Sequence, residues 1–588
     1  MKIAPSFSAA LSALLLATVA APPIAAQEAG ASDAALQALY GEYYDWTLER
    51  AGYYETASGE IEQGPTLSDQ SAAARETNAA AAAAFLARLD AIDTAALSPT
   101  ERVNAAVLRA VLAEGIGDAT YREWEMPFDS DSNFWTYLDA PSGLDTVREY
   151  EDYLARMRQV PRYLEQNVAN ARTGLARGFS VPRATLAGRD ESVRPYTQLE
   201  GNPFLAAFDQ MPQRIPEAER ARLRAEAQAV IAQDIVPAYT ALLAFLRDDY
   251  FPAARETLAA EAMPDGAAYY AQNIRQYTTL DMGAEAIHAV GLAEVARIEA
   301  AMQAIMDEVG FSGSIAEFNE ALRSDPRFVA ATPDELMGVA AYVQVRVDGE
   351  IERYFGFLPR ARFSIRPVPD AIAPFYTAGR GGEDYCQINT HDLPSRPVYN
   401  IPALTLHECS PGHSFQANFQ REVTGELPAF RRNLYFSGMG EGWGLYTEFL
   451  GEEMGIYRTP YERYGRLSYE MWRAARLVID TGIHHYGWTR EQAVDYLAGR
   501  TALSRHEVGT EVDRYISWPG QALAYKLGEM TIRRLRGEAE AALGDAFDIR
   551  KFHDVVLALG SVPLPVLEER IAGFIADGGQ GLADVTYD

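Results

Sequence analysis

Lysine is almost absent from this 588-residue chain: Lys2, Lys526 and Lys551 are the only three, beside 49 arginines. Positive charge is scarce overall, because 52 basic residues face 82 acidic ones and leave a net charge of −30. A surface so short of cations is not built to collect phosphates, so no nucleic-acid partner is expected. Cysteine is rarer still, and two cysteines in the whole chain rule out a disulfide framework. No repeat period or long low-complexity linker appears. Past the N-terminus no uninterrupted apolar segment is long enough to span a bilayer, which takes roughly 20 residues. No Gly-x-Ser-x-Gly elbow surrounds any serine, which argues against a serine hydrolase.

What remains is ordinary globular material, 48% hydrophobic and 23% charged. It is long enough for one very large core or two to four smaller ones. Met1–Ala26 reads as a secretory signal, with Lys2 at its start, an apolar stretch from Ala9 to Ala21, and small residues before Gln27. No cysteine lies near Ala26, so a periplasmic or secreted protein without a lipid anchor is expected.

From Gln27 onward helical periodicity dominates. Ser68–Ile92, Glu101–Ile116, Arg220–Phe245, Gly283–Val309, Pro333–Arg353, Tyr461–His485, Gly520–Leu543 and Pro565–Ala576 all carry it. Ser98-Pro-Thr-Glu101 and Thr332-Pro-Asp-Glu335 mark helix starts. The Pro- and Gly-rich stretch Pro359–Pro402 differs, with strand-like alternation at Arg362–Arg366 and Tyr385–Asn389. The expected fold is therefore mainly α and a single domain over residues 27–588.

Five of the eight histidines (His391, His407, His413, His484 and His485) fall within 95 residues. Inside that window stands His407-Glu408-Cys409-Ser410-Pro411-Gly412-His413. A His-Glu pair followed by a second His places two metal ligands and a general base side by side. The spacing of six, however, rotates the second histidine by about 240° from the first on an unbroken helix. Pro411 and Gly412 favour a break or a two-residue bulge, which would return His413 to His407. The plainer alternative is two separate helices whose histidines merely pack.

A third ligand is offered by Ser437-Gly-Met-Gly-Glu441-Gly-Trp-Gly-Leu-Tyr-Thr-Glu448. Glu441 and Glu448 share a helical face, and Glu441 is the better candidate of the two. Glycines at 440, 442 and 444 cost roughly 1 kcal/mol each against alanine, which close approach of a metal-bearing helix would offset. Cys409 has no base at nucleophile spacing and reads as a small buried residue.

The His407–His413 motif, Glu441-Gly-Trp-Gly-Leu-Tyr446, Asp480-Thr-Gly-Ile-His484-His-Tyr-Gly-Trp488 and Arg514-Tyr515 through Pro519–Lys526 together resemble the bacterial domain-of-unknown-function family 885. That family in turn resembles gluzincin-type helical zinc peptidases, with two helical lobes around a deep channel and zinc at its floor. The resemblance implies such an architecture, and the strand-like segments within Pro359–Pro402 lead us to expect a small antiparallel sheet near the site. It also implies one zinc ion per chain on His407, His413 and Glu441, with Glu408 as general base. Ser414 stands where a second His often follows, and Gly444 where Ala is usual.

Tyr525 is then the candidate donor to a developing oxyanion. His484, four residues after Asp480, is a second candidate catalytic group, its ring oriented by that aspartate. Arg514, with Tyr515 beside it, and Lys526 are candidates to bind a peptide carboxylate. The segment Tyr385–Asn389 is a candidate edge strand against which an extended peptide lies, with Asn389 in contact. The function expected is an exported zinc peptidase for short oligopeptides. An amidase or esterase for a non-peptide substrate is the alternative, as is a non-catalytic peptide-binding protein on the same scaffold.

Overall fold

The computed structural model describes residues 24–588, except 58, 130–132, 137, 140–142, 371–372, 424–426, 584 and 588. The expected signal segment Met1–Ala26 lies almost wholly outside the described residues. The chain is mainly α, 68% helical, with two small sheets.

Three helices open the fold: α1 (Ile24–Ala51), α2 (Ala72–Asp90) and α3 (Pro99–Tyr121). A short hairpin, β1 (Tyr53–Glu55) with β2 (Ile61–Gln63), joins the first two. The start signals act as the sequence suggests: the Ser98 hydroxyl accepts from the Glu101 amide at 3.3 Å, and Thr332 accepts from Glu335 at 3.1 Å. Buried apolar side chains gather in one main cluster spanning residues 36–112 and 330–574, a second between 67 and 254, and two smaller ones.

The second cluster is organised by Glu217–Ala253, a helix of 37 residues, which is long and apolar enough to cross a membrane. It qualifies on length and mean hydropathy alone, since Gln228, Gln233 and Asp234 interrupt it and leave no uninterrupted apolar run of spanning length. Its apolar stripe, including Leu223, Ile231, Ile235, Tyr239 and Leu246, is buried against the protein's own side chains, as expected of a core helix.

The main cluster holds the elements that matter for function. Helix α4 (Ala284–Glu308) lies along α8 (Pro460–His484), and the short α5 (Ile401–Glu408) and α6 (His413–Val423) lead into α7 (Ser437–Glu453). Helices α9 (Arg505–Ser517) and α10 (Ala524–Leu543) close the group, α10 packing along α7. Every α8 residue from Tyr464 to His484 is buried, charged ones included. The arginines and Glu470 among them are paired: Arg466 with Glu470, Arg473 with Glu448, and Arg476 with Glu511. Pairing is what makes them tolerable at that depth.

The sheet near these helices has β3 (Ser364–Pro367), β4 (Gly379–Gly381) and β5 (Tyr385–Ile388) in the order β3-β5-β4. It is mixed rather than antiparallel, because β3 pairs parallel to β5 while β4 pairs antiparallel. The segment Tyr385–Ile388 is thus the central strand and not an edge, and β3 and β4 are the two edges.

Candidate metal centre

Helix α5 ends at Glu408. Cys409 leaves helical geometry (φ −96°, ψ −100°), a cis Ser410–Pro411 bond follows, and α6 begins at His413. The chain therefore breaks completely rather than bulging, yet the histidines still converge, with ring centroids 4.9 Å apart and planes at 87°. Gly412 makes the return possible, since a β-carbon there would stand 1.8 Å from the His407 carbonyl oxygen. The Trp443 indole N–H fastens the break to α7 by donating to the Pro411 carbonyl at 2.9 Å.

Two imidazoles and one carboxylate meet at this break. The ligand atoms of His407, His413 and Glu441 all lie within 4.8 Å of one another, and Glu441 Oε2 is 3.5 Å from Nε2 of each histidine. An edge of a tetrahedron with bonds of about 2.1 Å measures roughly 3.4 Å, so the donor set has the size and chemistry of a zinc site. The other nitrogen of His407 is also engaged: Nδ1 donates to Glu448 Oε1 at 2.8 Å, and Arg473 lies 3.4 Å from that same oxygen. When His407 is neutral, a proton held on Nδ1 by Glu448 would leave the Nε2 lone pair facing Glu441 and His413.

The electrostatics agree. Burial works to lower the His407 pKa, yet hydrogen bonds to Glu441 and Glu448 lift it to about 9. Burial works to raise Glu441, but hydrogen bonds from His407 and His413 hold it well below the usual carboxylate range. A cluster so tuned shares a proton or holds a cation.

Glu408 sits at the rim, and its Oε2 accepts the Gly381 amide of β4 at 2.7 Å. Gly381 is forced by this contact, because an added β-carbon would come within 2.2 Å of the Glu408 carbonyl oxygen and 2.5 Å of His413 Cβ. The three glycines of α7 have three different neighbours. Gly440 lies under the Tyr435 ring, Gly442 against the α10 backbone at Gly528, and Gly444 against the His407 ring. Only the last meets α5, through the His407 ring. A β-carbon at Gly444 would stand 2.7 Å from His407 Cε1, so here the imidazole approaches α7 more closely than an alanine would permit.

Several residues marked in the sequence lie elsewhere. His484 is fully buried, with Nδ1 accepting the Ala260 amide at 3.1 Å and Nε2 donating to the Tyr515 carbonyl at 2.8 Å. Both nitrogens are thus committed to backbone, burial depresses its pKa to about 3, and no catalytic role is open to it. Asp480 does not orient that ring, and binds Tyr270 and the Gly520 amide instead. Lys526 is wholly buried among Glu294, Glu470 and Glu529, at 2.8–3.0 Å. Tyr515 is locked among Trp472, Arg476 and Glu511, and Asn389 spends its amide on the carbonyls of Ala373, Tyr376 and Thr377. These three are framework, not substrate contacts. Arg514 binds Gln521 Oε1 at 2.9 Å and the Tyr525 hydroxyl at 3.3 Å.

Other features were not read from the sequence. The two cysteines are joined, Cys386 of β5 to Cys409 at the helix break, with Cα atoms 5.2 Å apart. Cys409 is buried as expected, but as half of a disulfide. Both cysteines lie near the histidine motif, and that proximity was the available clue. Tyr435 donates its hydroxyl to Glu441 Oε1 at 3.0 Å, and nothing singled it out among 32 tyrosines. Half of its surface meets water (54%), yet burial within the protein, then Glu441 and Tyr525, push its pKa well above the ordinary 10. It lines a cavity open to solvent, with Tyr525 near enough to act on it electrostatically.

A mainly helical protein carrying two histidines and a glutamate in metal-ligand geometry is the class these observations define. The chain belongs to the family described as "Bacterial protein of unknown function (DUF885)", whose sequence pattern matches residues 53–571. No curated protein matches the chain. Among solved structures it is similar to "the putative lipoprotein from Colwellia psychrerythraea", at 26% identity, with a TM-score of 0.83, over 94% of this chain and 99% of that one. It also shares the fold of "a putative lipoprotein of unknown function from Shewanella oneidensis", at 19% identity and a TM-score of 0.67, with the same coverage.

Proposed function

We propose that the protein is an exported, zinc-dependent hydrolase that cleaves amide bonds in short peptides. The observation that carries this reading is the convergence of His407, His413 and Glu441 within 4.8 Å, with Glu448 buttressing His407 and Glu408 one residue away. Zinc bound to such a set supplies a Lewis acid and lowers the pKa of a water it holds towards 7.

The chain's own groups account for the rest. Glu408 is anchored through Oε2 by the Gly381 amide, which leaves Oε1 to take a proton from the attacking water and return it to the leaving amine. Tyr525, whose hydroxyl accepts from Arg514, keeps its own proton to offer to developing negative charge, whereas Tyr435 gives its proton to Glu441. Edge strand β4 adjoins Glu408 and gives an extended peptide backbone to lie along.

Export is supported by the signal-like N-terminus, by the lipoprotein description of a 26% identical structural relative, and by the Cys386–Cys409 disulfide, which suits an oxidising compartment. The test is hydrolysis of an oligopeptide panel by zinc-supplemented protein and by Glu408→Gln. Activity in the wild type that is abolished in the variant, with zinc retained, supports the reading. An active Glu408→Gln protein overturns it.

A further inference from the structure

A cavity of about 370 Å³ lies between α1, α2, α3 and the segment that leads into α7. That volume is in the range of small-molecule pockets, about 300–1,000 Å³. Its lining includes Trp46, Arg50, Arg75, Glu114, Asp118 and Tyr435. Tyr435 links it to the candidate metal centre, since the same side chain that lines the cavity donates its hydroxyl to Glu441.

The two arginines stand out against the rest of the chain. In a protein with 82 acids, neither Arg50 nor Arg75 forms an ion pair among the described residues. The Arg50 guanidinium lies over the Trp46 ring, 4.6 Å from its centroid, which fixes its plane and leaves its N–H edge open. Arg75 donates to the Gln70 side chain, and its Nε is buried without a partner. The two are near enough that burial first, and Arg50's charge as well, depress the Arg75 pKa. Asp118 and Glu114 also line the cavity, and Asp118 acts electrostatically on Arg75, but neither is ion-paired with either arginine. Burial, reinforced by Glu123, pushes Asp118 up to about 9, and burial also raises Glu114.

We propose that Arg50 and Arg75 form a subsite for a substrate carboxylate, placed so that the bond to be cleaved lies past Tyr435 at the His407–His413–Glu441 cluster. A planar guanidinium fork matches a carboxylate with two parallel hydrogen bonds. The carboxylate has two sources in a peptide, its C-terminus or an acidic side chain. The inference deepens the hydrolase reading and rests on it for the position of the scissile bond.

Three probes separate the cases: acetyl-tetraalanine as the free acid, the same peptide as its C-terminal amide, and acetyl-Ala-Ala-Ala-Asp amide. Binding to the zinc-supplemented full chain carrying Glu408→Gln is measured by calorimetry, and hydrolysis is measured with the wild type. The free acid is expected to bind at least tenfold more tightly than the plain amide. That preference should fall to near parity on adding Arg75→Gln or Arg50→Gln and be partly kept by Arg75→Lys, with zinc content unchanged throughout. A preference shown by the aspartyl amide and not by the free acid assigns the subsite to an acidic side chain. Equal binding of all three probes, no binding of any, or a preference that survives both glutamine variants overturns the subsite. Selective binding without hydrolysis by the wild type upholds the subsite and removes the hydrolase reading. Hydrolysis without selectivity does the reverse.

Discussion

His407 is gripped through Nδ1 by Glu448, 2.8 Å away and two helical turns beyond the Glu441 that approaches its Nε2. One helix, α7, thus supplies both the carboxylate beside the metal position and the one that aims the imidazole. Removing the outer carboxylate should weaken metal binding without removing a ligand. Glu448→Gln is expected to lower zinc affinity roughly 10–100-fold, measured by competition with a chelator. Unchanged affinity would mean that His407 is oriented by packing alone.

The Cys386–Cys409 bond ties β5 to the helix break, and through β4 it holds Gly381 against Glu408. It spans 23 residues, and closing a loop of that size stabilises a fold by about 3 kcal/mol in the chain-entropy account. Cys386→Ala with Cys409→Ala should lower stability by roughly 2–4 kcal/mol in denaturant titrations. The same protein should lose proportionally more activity than zinc, because Glu408 is held from the sheet side.

Gly442 and Gly528 let α7 and α10 touch backbone to backbone. A β-carbon on Gly442 would stand 2.6 Å from Gly528 Cα, and one on Gly528 would stand 1.9 Å from the Gly438 carbonyl oxygen. Gly528→Ala is therefore expected to cost about 1–3 kcal/mol by forcing the helices apart. Thermal unfolding with and without zinc checks it. A melting temperature equal to that of the wild type would contradict the close crossing.

His484 gives a pH signature. Its folded pKa of about 3 lies below the roughly 6.5 of an unfolded histidine. Between those values the unfolded chain binds a proton that the folded chain refuses. This contribution to stability is full above about pH 6.5 and is lost as pH falls towards 3. Histidine-selective NMR should find the His484 ring neutral at pH 5, and a midpoint near 6.5 would contradict its two backbone hydrogen bonds.

Helices were legible because their periodicity and caps are local, as Ser98 and Thr332 illustrate. The convergence of His407, His413 and Glu441 was legible because metal chemistry restricts residue type and the Pro-Gly pair allowed the odd spacing. What escaped was non-local. Nothing in the local sequence distinguishes Glu448 as an orienting group, Tyr435 as a neighbour of Glu441, or Lys526 as a buried ion-pair centre. Each depends on which helix lies opposite. His484 and Tyr515 sit in strong motifs because they hold α8 to α9 rather than because they meet a substrate.

The most direct measurement is metal content by mass spectrometry on purified wild type, His413→Ala and Glu408→Gln. The account predicts about one zinc per chain in the wild type and in Glu408→Gln, and little in His413→Ala. No zinc above background in the wild type after supplementation, or full zinc in His413→Ala, would contradict it.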